Sequence, residues 1–412
     1  MRARRLLNVA IGMTVAVLLA ACTTNGPTPS PTPTPREALR IGALVPTSGT
    51  FSFLGRGQIA GAKLAIADIN AAGGVGGKPV ELELRDSGDA TTTTAEASLK
   101  FLVSKHVNAV VGPSSSVLAK RLIPQVVDAG VPLVSPAATF PSLTDAQDHG
   151  LFFRTVPAYG AQGTVLGDVL SKKAPIKMAL IYSNDELGRS IAPAFESEAE
   201  SAGSTVVASV GFPAAETRFD SIIAEAIKSK PDVVVLATSY SSFTATKGLI
   251  KGLIASGFGG SKLWLTTQNT GDYSQAFKNG TLTGVRGIIE GVHPSDSFVK
   301  RLKSVAPGLA ETRYAAETYD AVVLLALAAS VSDGYSGPAL SSALQSVSAG
   351  GIKCSTFAEC IDVHNSQGDF DYDGLSGPLD FTAQGDIEPA FYGLYTYGPD
   401  NKFKYTSGVI GG

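Results

Sequence analysis

Residues 41–89 read IGALVPTSGTFSFLGRGQIAGAKLAIADINAAGGVGGKPVELELRDSGD. Residues 41–46 form a short apolar run ending in Pro46, the mark of a buried strand. Across 57–71 the apolar residues Ile59, Ala62, Leu64, Ala65, Ile66 and Ile69 recur at helical spacing. The cluster GGVGG at 73–77 ends that helix. Residues 80–85 then alternate Val80, Leu82 and Leu84 with Glu81, Glu83 and Arg85, a half-buried strand. Strand, helix, strand within one short segment is a βαβ unit, whose two strands run parallel.

The alternation continues outward. Helical spacing covers 94–105 and 117–129, where Pro124 is a local complication. Strands are expected at 108–112, 131–135 and 152–156. The pattern then restarts: strands at 177–182, 205–210, 233–237, 262–266 and 287–290 alternate with helices at 189–202, 219–229 and 243–256. Residues 298–305, 314–331 and 339–347 are helical by spacing, and 379–381, 390–397 and 403–405 are β-like. The fold class is therefore α/β, in two units joined near Pro157, each with a parallel sheet covered on both faces. Charged residues make up only 17% of the chain, below the usual ~25%. That fits sheets buried on both sides.

The first 37 residues are of another kind. Arg2, Arg4 and Arg5 precede a charge-free apolar stretch from Leu6 to Ala21, which reads as a signal peptide (1–21). The end Leu19-Ala20-Ala21-Cys22 resembles a bacterial lipobox. That resemblance implies cleavage before Cys22 and acylation of Cys22, giving a lipid anchor at the outer face of the membrane. Residues 22–37 then supply a tether rich in Pro and Thr, which cannot build a helix or a core.

Composition excludes several classes. The 412 residues carry 33 Lys+Arg against 36 Asp+Glu, a net charge of -3. Loss of Arg2, Arg4 and Arg5 with the leader would leave 30 against 36, or -6. No basic field for nucleic acid exists. The four histidines are scattered, and no GxSxG elbow, HExxH or nucleophile beside a base occurs. An enzyme is therefore not expected, nor is any cofactor or metal. Of the three cysteines, Cys22 is the lipidation candidate. Cys354 and Cys360 remain as a pair that export would expose to an oxidising compartment, so a small disulfide loop is expected.

The opening stretch also carries a resemblance, at Ser48, Gly49, Gly55, Gly61, Ala62, Asn70, Gly73, Gly74 and Gly77. Further matches are VGPSSS at 111–116, VSPAAT at 134–139, RTVP at 154–157, YDA at 319–321 and SGPLDF at 376–381. In this order they resemble the type I periplasmic binding proteins, in particular the leucine/isoleucine/valine-binding family of ABC transporters. That resemblance implies two Rossmann-like lobes joined by three crossovers and closing on a ligand. Lobe one would comprise 38–156 plus 294–388, and lobe two 157–293 plus 389–412. The implied role is capture of a small amino-acid-like ligand for an ABC permease and its ATPase. The alternative is a binding protein of the same fold serving a receptor or kinase.

The resemblance also assigns site residues. In the family a Ser hydroxyl and backbone groups hold the ligand carboxylate. Those positions fall on Ser116, Ala137 and Thr139. Hydroxyls and N–H groups at a helix start suit an anion. Ser116 also reads as the N-cap of helix 117–129, a role compatible with binding. Leu54, on the apolar loop 47–55, aligns with an aromatic residue that touches the ligand side chain. In lobe two, Leu187 stands where the family commonly has Tyr, and Gln268 where it has an acidic partner for the ligand ammonium. A neutral amide is the weaker partner for that group. Asp185, Glu186 or Asp320 is left to take the role, unless the ligand lacks an ammonium, as amides and small carboxylates do. Tyr240 is expected as a wall.

Two patterns imitate chemistry. Residues 73–77 follow a helix instead of opening one, so they are a helix-ending turn and not a phosphate loop. Asp369, Asp371, Asp373 and Asp380 resemble a calcium loop but lack the Glu at the twelfth position and the flanking helices. A solvated turn is expected there.

Overall fold

The computed structural model describes residues 37–412 except 214 and 240–242. The leader, Cys22, the tether and Tyr240 thus lie outside the described residues. The first sheet has five parallel strands: β1 (Arg40–Val45), β2 (Glu81–Asp86), β3 (Ala109–Val111), β4 (Leu133–Ser135) and β5 (Phe152–Arg154), in the order β2-β1-β3-β4-β5. Helices α1 (Ser52–Ala71), α2 (Thr94–Ser104) and α3 (Ser116–Ala129) connect the first four. From Ile41 onward β1 is wholly buried, as the apolar run requires.

Helix α4 (Ala161–Ser171) leads into the second lobe. There β6 (Lys177–Ser183), β7 (Thr205–Phe212), β8 (Val233–Ala237), β9 (Leu263–Leu265) and β10 (Arg286–Glu290) run parallel, linked in part by α5 (Glu186–Ser201), α6 (Asp220–Ile227) and α7 (Phe243–Ala255). The chain then returns to lobe one as α8 (Asp296–Val305), α9 (Ala315–Val331) and α10 (Gly337–Val347). Every residue of α9 from Ala315 to Ala329 is buried. Finally β13 (Ala390–Tyr397) and β14 (Phe403–Gly411) add antiparallel to the second sheet, whose order is β14-β13-β10-β9-β8-β6-β7. Among the described residues no helix is long and apolar enough to cross a membrane.

Several local readings change. Helix α4 leaves no clear helical pattern in the sequence, because Gly163 and Gly167 break its apolar stripe and lower its propensity. A Cβ at Gly163 would lie 2.5 Å from the Ile191 carbonyl, so the glycine lets α4 press onto α5. Residues 379–381 are not a strand; only Phe381 bridges to Ile387. The tail strand runs through Gly411, well past residue 405.

The expected solvated turn at 369–374 is corrected. Phe370–Tyr372 form the buried strand β12, parallel to β11 (Ile352–Cys354), with α11 (Phe357–Gln367) between them. The aspartates hid its alternation. Lys353 Nζ stands 2.8 Å from Asp371, 3.0 Å from Asp373 and 3.8 Å from Asp380, as their shared counter-ion. Cys354 and Cys360 are bonded, with Cα atoms 5.2 Å apart, tying β11 to α11.

Candidate functional site

A cavity of about 550 Å³ lies between the two sheets at the carboxyl ends of their strands, where open α/β sheets bind ligands. Loops after β1, β3 and β4 form one wall, and loops after β6, β8 and β9 the other. Leu54, Ser116, Ala137, Thr139, Glu186 and Gln268 all line it. Asp185, Leu187 and Tyr314 join them. Asp320 does not: it is fully buried elsewhere, accepting from Tyr372 Oη at 2.7 Å and from the N–H groups of Leu375 and Ser376. It holds the turn after β12 and is unavailable as an ammonium partner.

The lobe-one wall is built around the start of α3. Ser115 is the N-cap, accepting from the Leu118 N–H at 3.4 Å, so the capping role expected of Ser116 belongs to its neighbour. Ser116 Oγ instead accepts two N–H groups from the loop after β4, Thr139 at 2.9 Å and Phe140 at 3.2 Å. Both lone pairs are thereby engaged, and the hydroxyl hydrogen is what remains to offer. The first N–H groups of α3, which a helix cannot satisfy internally, lie at the same wall. The Thr139 carbonyl accepts from the Tyr159 N–H at 2.8 Å, and its hydroxyl makes no hydrogen bond among the described residues. The loop after β1 is held by Asp86, which accepts from the Thr47, Ser48 and Gly88 N–H groups and from Ser48 Oγ. Burial pushes its carboxyl up, but the bonds from Ser48, Gly88 and Thr47 prevail and hold the pKa at about 2.

The lobe-two wall starts with α5. Asp185 caps it, accepting from the Gly188 N–H at 3.0 Å. A Cβ at Gly188 would lie 2.0 Å from the Ser183 carbonyl, so only glycine lets α5 begin this close to the end of β6. Glu186 Oε1 reaches across the cleft and accepts the Ser142 N–H at 2.8 Å, in the short 3-10 turn Pro141–Leu143. Gln268 sits in the 3-10 turn Thr267–Asn269, half-buried, its side-chain amide making no hydrogen bond among the described residues.

Beneath the cavity lies a polar floor that sequence reasoning missed. Tyr159 Oη donates to Thr266 Oγ1 at 2.8 Å, and Gln162 Nε2 to Thr267 Oγ1 and Glu290 Oε2, both at 2.7 Å. Tyr314 Oη donates to Glu290 Oε1 at 3.2 Å. Tyr314 has φ 57°, a left-handed conformation uncommon for a bulky residue, and it opens α9. Burial raises the Glu290 carboxyl. Glu317 accepts the Val292 N–H at 3.0 Å on the second crossover, and burial pushes its pKa up to about 8. These contacts join residues far apart in sequence, so periodicity carries no trace of them. The one local signal is the helix start at Tyr314.

A family model described as periplasmic binding protein matches residues 38–360. A Leu/Ile/Val-binding protein homolog of Brucella abortus is 33% identical over 215 residues, 49% of this chain and 52% of its own length. The match thus spans about half the length of that relative. The chemotactic signal transduction system substrate-binding protein BasB of Halobacterium salinarum is 26% identical over 364 residues, covering 86% of this chain and 85% of its own. The isoleucine complex of the branched-chain amino acid transporter substrate binding protein LivJ from Streptococcus pneumoniae superposes with a TM-score of 0.64. It is 22% identical and covers 91% of this chain and 99% of that one. That likeness shows the two-lobed fold.

Proposed function

Since the chain belongs to the periplasmic binding protein family, we propose that it is the extracytoplasmic substrate-binding subunit of an ABC importer. It captures a small amino-acid-like ligand, a branched-chain amino acid, an amide or a related carboxylate, between its lobes. The family and fold are those of binding proteins rather than enzymes.

The observation that carries this reading is the disposition of Ser116. With two backbone N–H groups already on its oxygen, its hydroxyl acts toward a ligand as a donor only. Together with the start of α3 and the Thr139 hydroxyl it makes a neutral anion hook, suited to a carboxylate. Ala137 and Leu54 supply the apolar side of the same wall. From the other lobe Gln268 offers an amide, and Asp185 and Glu186 are the nearby carboxylates for an ammonium. A ligand touching both walls favours the closed arrangement and shifts the population toward it. In this reading 38–156 plus 294–388 and 157–293 plus 389–412 are the two jaws. Cys22 carries the lipid that keeps them at the outer face of the membrane beside the permease and ATPase.

Thermal-shift screening of the purified mature protein tests the proposal. A shift is expected with members of the amino acid, amide or small carboxylate classes. Silence across all of them overturns it. Metabolic labelling with palmitate tests the anchor, with loss of label expected in Cys22→Ser.

The match to BasB along 86% of the chain favours a second reading, in which the loaded protein serves a receptor. Ligand-dependent stimulation of a reconstituted permease–ATPase complex decides for import.

A further inference from the structure

The carboxylate hook does not account for the whole cleft. Beside the first cavity lies a second, of about 380 Å³, and Phe51, Leu54, Gln268 and Tyr314 line both. Its remaining lining sets the aromatic rings of Phe53, Phe243 and Tyr273 beside the polar turn Thr267–Asp272 and Arg313. Phe53 comes from lobe one and Phe243 from lobe two, each 43% exposed. Large apolar rings left in water on two facing jaws are the feature that needs a reason.

Both rings are held in place. Phe243, the first residue of α7, stacks on Tyr273 with centroids 5.6 Å apart and planes 7° from parallel. Tyr273 is itself buried and fixed by its hydroxyl on the Asn269 carbonyl at 2.8 Å. Phe53 carries the Arg313 guanidinium 5.1 Å from its centroid. A prepositioned ring binds another ring with little further loss of freedom.

The two charged residues of the lining are paired, and Lys247 Nζ lies 4.9 Å from the centroid of the Phe243 ring. Arg313 pairs with Glu311 at 2.7 Å, and Asp272 with Lys402 at 3.4 Å. Neither charged residue of the lining therefore calls for a charged ligand group. What the exposed rings of Phe53 and Phe243 suit is an uncharged flat apolar group.

Resting on the carboxylate reading given above, we infer that the second chamber receives an aromatic ring, so that the preferred ligand is an arylalkyl carboxylate. Its carboxylate lies on Ser116 and its ring between Phe53 and Phe243. A branched-chain amino acid fills the first chamber and leaves the second wet. Gln268, at the junction, faces the linker and not an ammonium, which accounts for an amide where an acid would serve an α-amino group.

The experiment compares isovalerate with 3-phenylpropanoate by isothermal titration calorimetry on the purified mature protein. Leucine is included as the amino acid probe. The aromatic acid should bind at least ~10-fold tighter than isovalerate, the size of effect ring stacking and burial together supply. Two variants probe the chamber. Phe243→Ala removes an exposed ring. Gly271→Leu grows a side chain into the chamber at a position whose Cβ meets nothing within 4 Å. In each the ratio of the two affinities should fall to within ~3-fold of unity. Binding of leucine or isovalerate with no gain for the aromatic acid overturns the chamber alone. So does a ratio untouched by both variants. Failure of every probe to bind overturns the chamber and the carboxylate reading together.

Discussion

Glu186, the first residue of α5 in lobe two, accepts the backbone N–H of Ser142 in lobe one at 2.8 Å. This bond crosses the mouth of the cleft. Breaking it removes a charge-assisted contact between the two lobes. Glu186→Ala should therefore favour the open form and weaken ligand binding by roughly 3- to 10-fold, about 1 kcal/mol. Hydrogen exchange at the Ser142 amide should quicken. Unchanged exchange would show that the contact does not hold the cleft.

Ser116→Ala removes the donor proposed to hold the ligand carboxylate and the acceptor of two loop N–H groups. The loss should be larger than for a simple contact, about 1.5–3 kcal/mol, or roughly 10- to 100-fold in affinity. Thr139→Ala deletes one hydroxyl and should cost about 1 kcal/mol. Titration of both variants with whichever carboxylate binds the wild type checks the order. Equal, negligible effects would remove this wall from the site.

Glu317 gives a pH signature. Its folded pKa of about 8 stands above the ordinary carboxyl value of 4.5, chiefly through burial. Below 4.5 the carboxyl is protonated folded and unfolded alike. Between 4.5 and 8 the unfolded group releases its proton and the folded one keeps it. Stability thus falls as pH rises through this window, by about 1.4 kcal/mol per pH unit from this group. Glu317→Gln lacks that slope and should gain relative to wild type toward about pH 8. Denaturant titrations at about pH 5 and about pH 8 check it; parallel behaviour of the two proteins counts against it.

At Gly188 an added Cβ meets the Ser183 carbonyl at 2.0 Å. Backbone cannot yield as a flexible side chain does, so Gly188→Ala must displace the start of α5. A destabilisation of roughly 1–3 kcal/mol is expected. Ligand affinity should fall as well, because Asp185 and Glu186 move with the helix. A melting temperature equal to wild type would mean that α5 has room to shift.

Much of this was legible from order along the chain. Residues 41–89 announce a βαβ unit because β1 is buried on both faces and α1 on one. The cavity-lining residues 116, 137, 139 and 268 are expected from the resemblance, and 186 from the departure at 268, at loops that periodicity does not describe. What stayed hidden has a common cause. Tyr159, Gln162, Glu290 and Tyr314 meet only through tertiary structure, across separations of up to 128 residues. The capping role expected of Ser116 falls one residue earlier, because in a run of three serines the helix start decides which side chain is free for other work. Strand β12 was masked by aspartates that share one lysine.

The antiparallel pairing of β13 with β10 joins Tyr392 to Glu290. Between them in the chain lie α8 to α11, most of which belong to the other lobe. Lobe two therefore closes its sheet only after nearly all of lobe one has been synthesised. Loop closure over such a span is slow, and until it happens β10 presents an open edge ready to pair with another chain. Neither jaw can be excised as a contiguous fragment. The chain passes between the lobes three times, and the two halves must mature together or stay sticky.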